Sequence, residues 1–208
     1  MSKGYKILHF LLAWIFKAVY RVKIVHPENE PDPGKAYIFC ANHLSAVDPI
    51  LICAGLKKIQ PRYMSKDSLF KIPVLSSIIR AFGAYPVNRS GSALSAIKKS
   101  IEILNNNECI GIFPQGHRNP GKEPRDTEVK NGVGMICAKT GADIIPICIK
   151  PKNYKYLLFF RRTYIIIGSP ISFNELPITE DMSSSDKNKA ITEYVFDKVC
   201  SLGENYEA

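Results

Sequence analysis

The chain has 208 residues, of which 46% are hydrophobic and 23% charged, a composition that suits one well-filled domain and excludes wholesale disorder. A formal charge of +9 points to an anionic partner: nucleic acid, an anionic membrane surface or a phosphorylated substrate. The six cysteines form no C-x-x-C pair, so zinc and redox spacings are absent, and they read as buried, reduced thiols of a cytosolic protein.

From Ile7 to Tyr20 the chain is nearly all apolar, with Lys3 and Lys6 before it and Arg21 and Lys23 after. The run is shorter than the roughly 20 residues that cross a bilayer, and no small-residue cleavage site follows it. It is expected to form an interfacial helix over residues 1–21, its basic flanks meeting anionic headgroups. A helix packed into the core is the other reading. Residues 22–208 are expected to form the main domain.

Val22 to His26 alternates as a short strand, and Pro27 to Gly34 is turn-rich. Ala36 to Ala41 is continuously apolar, as in a strand buried on both faces. It leads into Asn42-His43-Leu44-Ser45-Ala46-Val47-Asp48-Pro49. Asp before Pro predicts a helix start, with Asp48 as N-cap and a helix to about Leu56. Arg62 to Met64 reads as a strand, and Ile72 to Phe82 as a helix stopped by Gly83. Ala84 to Val87 reads as an edge strand, because Pro86 lacks a ladder donor.

Ser92 to Leu104 has helical spacing, and Cys109 to Phe113 is another apolar strand. Asn119 to Glu128 reads as an exposed flap, and Val133 to Ala138 as a helix ended by Gly141. Asp143 to Ile149 and Thr163 to Ile167 are the last two strands, joined by a basic, aromatic-rich connector. A closing helix is expected over Ala190 to Leu202. The alternation predicts an α/β fold: a mostly parallel central sheet with helices on both faces, plus the N-terminal apolar membrane-interface helix.

In such a sheet the loops after parallel strands converge on one rim. One of them carries His43 and Asp48. A histidine titrates near neutrality, and a carboxylate on one ring nitrogen leaves the other free as a base. Alone, the pair reads equally well as a surface histidine beside a capping aspartate. A second loop carries Asn88 and Arg89, and a third Gln115, Gly116, His117 and Arg118. Arg89 and Arg118 suit a bidentate grip on a phosphate. Gly116 lets backbone amides approach an anion, and Lys130 adds charge at a helix start.

The spacing Asn42-His43-x4-Asp48 resembles the first motif of the glycerolipid acyltransferases. Gly83 to Arg89 is similar to their second motif, Phe113-Pro114-Gln115-Gly116-His117-Arg118 to their third and Ile145-Pro146-Ile147 to their fourth. The resemblance covers residues 42 to 147 in order. It implies acyl transfer from a thioester of coenzyme A or acyl carrier protein to a glycerolipid hydroxyl, with lysophosphatidate as the main candidate acceptor and phosphatidate as product.

His43 is then the general base and Asp48 its orienting partner. Arg89, Gln115, Gly116, His117, Arg118 and Lys130 bind substrate. The hydroxyl attacks the thioester directly, so no enzyme nucleophile, cofactor or metal is called for, and Ser45 is left a local hydrogen-bonding role. The expected partners are an anionic membrane surface, a lysophospholipid and the acyl donor, with the protein on the cytoplasmic face of the membrane, peripheral or monotopic.

Two residues depart from the family pattern: Gln115 stands where glutamate is usual, and His117 where threonine is. These leave open another acceptor (glycerol 3-phosphate or a different lysophospholipid) and a non-catalytic lipid-binding protein on the same scaffold. Nucleic-acid binding is disfavoured, because the chain has neither zinc spacing nor a glycine/aromatic RNA-binding signature.

Overall fold

The isoleucine-rich stretches become the interior strands. In the computed structural model, which describes residues 14, 15, 17–87, 93–151 and 160–206, β6 (Asp143–Pro151), β7 (Thr163–Ile167) and β2 (Tyr37–Ala41) are buried along nearly their whole length. Their side chains alternate between two apolar clusters, one on each face of the sheet. Ile38, Cys40, Ile144, Cys148 and Ile166 face one cluster. Phe39, Ala41, Ile145, Ile147 and Ile165 face the other.

Four more strands complete the sheet: β1 (Val22–Val25), β3 (Arg62–Lys66), β4 (Tyr85–Val87) and β5 (Ile110–Ile112). The seven strands run in the order β1-β7-β6-β2-β5-β3-β4. All neighbours are parallel except β6 and β7, so β1 and β7 run opposite to the other five. β4 lies at the edge, where Pro86 is tolerated.

Helices α1 (Asp48–Gly55) and α2 (Pro73–Ala81) lie on one face. Helices α3 (Ala93–Asn105), α4 (Gly132–Thr140) and α5 (Ser184–Glu204) cover the other. The α/β expectation, with helices on both faces of a mostly parallel sheet, therefore holds. The expected N-terminal helix lies largely outside the described residues. Of it, Trp14, Ile15, Lys17, Ala18 and Val19 are helical. Tyr20 is buried in the cluster that contains Leu44 and Leu51. No helix among the described residues is long and apolar enough to cross a membrane.

Two local expectations are corrected. Helix α5 begins at Ser184, well before Ala190, because the Ser183 hydroxyl accepts a hydrogen bond from the Asp186 amide at 3.1 Å and stabilises a polar first turn. The flap after β5 is not wholly exposed. Pro124 is buried, and Arg125 is pinned to α5 by Asp197 and Glu204.

Helices α4 and α5 touch through Gly134, where an added Cβ would lie 1.9 Å from the backbone oxygen of Asn188. Backbone cannot turn aside as a side chain can. Gly134→Ala is expected to cost about 3 kcal/mol, the upper end for overpacking, read as a lower urea midpoint with an unchanged m-value.

Candidate active site

Five strands present their C-terminal ends on one rim, and β2 and β5 deliver the site loops there. The Asn42 side chain anchors the first loop. It is fully buried, its amide donates to the Ile149 carbonyl at 3.0 Å, and its oxygen accepts from the Ile149 amide at 2.7 Å. This extra rung extends the β2–β6 ladder and fixes the residue before His43. Its signal in the sequence is a polar amide directly after a buried strand.

His43 Nδ1 lies 2.7 Å from Asp48 Oδ2, with the imidazole 16% exposed and the carboxylate 0%. An ionised carboxylate only accepts, so Nδ1 is the donor of this bond, and in the neutral imidazole Nε2 keeps its lone pair. The ring stacks on Phe113, with centroids 4.1 Å apart and planes at 14°. Phe113 in turn stacks on Tyr63. Gly111, in the strand below, has no room for a side chain, because a Cβ there would lie 2.0 Å from the Tyr63 ring.

Asp48 does not cap α1, as its sequence position suggested. It is the first residue of the helix, after Val47, and makes no side-chain cap. Its Oδ2 instead points back into the loop and accepts from the Leu44 and Ser45 amides at 2.6 and 2.8 Å. One oxygen thus gathers three donors and sets both the loop and the imidazole. Oδ1 has no hydrogen-bond partner among the described residues. Burial first, and then the Asp48 charge, push the Tyr20 phenol up from its ordinary value.

The third-motif loop is tied to the same residue. The Asn119 amide donates to the His43 carbonyl at 2.8 Å. Gln115 Oε1 accepts from the His43 amide at 2.6 Å, and its Nε2 donates to Thr127 Oγ1 at 2.7 Å. The Thr127 hydroxyl then donates to the Pro124 carbonyl at 2.6 Å. Gln115 is 1% exposed. Expected on the substrate, its side chain is instead fully engaged inside the protein, joining His43 to the flap. Thr127 and Asn119 were not singled out in the sequence, since a polar flap gives no sign of which residue folds back.

Gln115→Ala removes the acceptor for a part-buried amide. It is expected to cost about 1–3 kcal/mol and to lower kcat through displacement of His43, measured by urea unfolding and turnover. Gln115→Glu keeps an oxygen for that amide and is expected to retain more of both.

Gly116, His117, Arg118 and Lys130 are exposed on the rim. Gly116 has φ +72, and the Lys130 side chain lies across it, 3.2 Å from where a Cβ would be. This brings one cation of the anticipated anion grip against the glycine turn. The His117 carbonyl accepts from the Asn119 side chain at 3.1 Å. Arg89 lies outside the described residues.

All six cysteines are buried thiols. Burial pushes the Cys137 thiol up to about 12 and the Cys109 and Cys200 thiols up to about 11, so none of these three is a thiolate near neutrality. No group of side chains among the described residues is arranged to hold a metal ion.

Residues 21–150 match the profile of the Acyltransferase family. The chain is 31% identical over 168 residues to the 1-acyl-sn-glycerol-3-phosphate acyltransferase of Bacillus subtilis (strain 168), spanning 78% of this chain and 81% of the relative. It is 27% identical over 187 residues to the enzyme of the same name from Borreliella burgdorferi, spanning 86% and 70%. The crystal structure of the 1-acyl-sn-glycerophosphate (LPA) acyltransferase PlsC from Thermotoga maritima superposes with a TM-score of 0.66 at 25% identity, covering 99% of this chain and 80% of that one.

Proposed function

This chain belongs to the acyltransferase family, with relatives of the 1-acyl-sn-glycerol-3-phosphate acyltransferase type, and on that premise we propose that it acylates the free hydroxyl of 1-acyl-sn-glycerol 3-phosphate to give phosphatidate. The observation that carries this reading is the His43–Asp48 pair at 2.7 Å, with Nε2 left available on a rim that also bears Gly116, Arg118 and Lys130.

His43 Nε2 takes the hydroxyl proton as the oxygen attacks the thioester carbonyl. Asp48, buried and fixed by two amides, stabilises the imidazolium that results. The tetrahedral intermediate collapses, the C–S bond breaks, and the imidazolium returns its proton to the departing thiolate. No covalent acyl-enzyme is needed, because a thiolate is already a good leaving group. Arg118, Lys130 and the Gly116 amide, with Arg89, bind the acceptor phosphate.

The donor is an acyl thioester of coenzyme A or acyl carrier protein. The basic surface, +9 overall, suits an acidic carrier protein and an anionic bilayer alike. The protein works at the cytoplasmic face of the membrane, where its acceptor resides.

The deciding experiment offers labelled acyl-CoA and acyl carrier protein to a panel of acceptors and separates the products by lipid class. Labelled phosphatidate from lysophosphatidate is expected. Faster labelling of glycerol 3-phosphate or of another lysophospholipid would reassign the acceptor, and thiol release independent of any acceptor would remove the acyl-transfer reading.

A further inference from the structure

The large apolar side chains that remain exposed are not scattered over this molecule. Leu69, Ile72 and Val74 are 37%, 51% and 75% exposed. They lie on the short helical turn after β3 and the first residues of α2. Because β3 runs parallel to β2, this segment starts at the rim that carries His43. Leu94, 56% exposed at the start of α3, follows β4 at the same rim.

Trp14, Ile15 and Phe160 are the remaining ones among the described residues. They lie on the chain entering β1 and β7. Those two strands run in reverse, and Thr163 at the start of β7 pairs with Pro151 at the end of β6. Their entry points therefore also lie at the catalytic rim.

Charge follows the same distribution. Lys66 precedes the Leu69–Val74 segment, Lys71 lies within it, and both are exposed. The intervening Asp67 is half-buried, and its carboxylate accepts from the Ser68 amide at 2.8 Å. At the opposite edge Lys17, Arg21, Lys23 and Arg162 line a cleft with no acidic side chain. The strand order puts β1 and β3 roughly 25 Å apart at about 4.8 Å per strand, with β2 and its histidine between them.

We propose that residues 66–74 are a second membrane-contact site, in which Leu69, Ile72 and Val74 insert into an anionic lipid surface while Lys66 and Lys71 meet its headgroups. Together with the N-terminal contact at the far edge, this site holds the catalytic rim flat on the bilayer, so that His43 faces the headgroup layer. Apolar side chains ringed by cations are what an interfacial segment needs. A protein partner would not need the same chemistry at both edges of one rim. The inference rests on the membrane-bound acceptor proposed above, but its test does not use catalysis.

Since the native cysteines are buried, a thiol placed at the surface labels selectively. Val74→Cys bearing an environment-sensitive fluorophore is expected to shift to the blue on adding phosphatidylglycerol/phosphatidylcholine vesicles. The same label at Asn106→Cys, exposed just after α3 at the other end of the sheet, is expected not to shift. In co-sedimentation with the same vesicles, Ile72→Asp with Val74→Asp should lower the partition coefficient by at least about tenfold, with unfolding unchanged. An unshifted label at Val74→Cys would overturn the proposal, as would undiminished sedimentation of the folded double variant or failure of the unaltered protein to sediment at all. Should the protein acylate a different acceptor while Val74→Cys still shifts, the proposed reaction fails and the contact site stands.

Discussion

Replacing His43 by alanine is expected to lower acyl transfer by about 10²–10⁴-fold, the range over which a positioned general base acts. The imidazole is held in place on the rim: Nδ1 is committed to Asp48, and the ring plane is fixed against Phe113. The loop should survive the change, because Leu44 and Ser45 still donate to Asp48 and the His43 backbone still bonds Gln115 and Asn119. The loss should therefore appear in kcat, with the urea midpoint close to that of the parent. Turnover within a few-fold of the parent would remove His43 from the proton transfer.

The second large effect is expected at Asp48, where two substitutions separate charge from scaffold. Asp48→Asn keeps an oxygen able to accept from the Leu44 and Ser45 amides and from Nδ1. It removes the negative charge that stabilises the imidazolium, and kcat is expected to fall by about 10²–10⁴-fold with little change in fold. Asp48→Ala also leaves those two amides without an acceptor, one buried and the other part-buried. Each costs about 1–3 kcal/mol, so this variant should unfold markedly earlier in urea as well as losing activity. Full activity in Asp48→Asn would mean that the carboxylate orients the ring by its hydrogen bond alone.

Much of this was legible in the sequence, for reasons that can be traced to particular residues. The interior strands announce themselves because strands buried on both faces need nearly continuous apolar residues, as in Phe39–Ala41 and Ile144–Ile149. The His43/Asp48 pairing was legible only in company, from the basic and glycine-bearing loops after neighbouring strands and from the resemblance of its spacing to a known first motif. Direction was not legible: Ile165–Ile167 is equally apolar whichever way it runs, so the antiparallel β6–β7 pairing has no mark in composition. The role of Asp48 as a loop clasp was hidden by the Asp-Pro pair, which reads the same for a cap. Gln115 was misplaced because a polar residue in a predicted loop gives no hint that it is 1% exposed. Only the third dimension brings His43 and Thr127 to its two ends.

The pairing of the first strand with the last has a bearing on how the chain assembles. Among the described residues β1 has no ladder partner except β7, with Val22 opposite Thr163. At 5–20 residues per second, synthesis leaves β1 without its partner for on the order of ten seconds. During that interval it is an unpaired edge, directly following an apolar, basic-flanked stretch. The centre of the sheet, β5-β2-β6, is complete once residue 151 has emerged, whereas the β1–β7 corner closes last and at the highest cost in chain entropy. The first strand of the sheet to be synthesised is therefore the last to be paired.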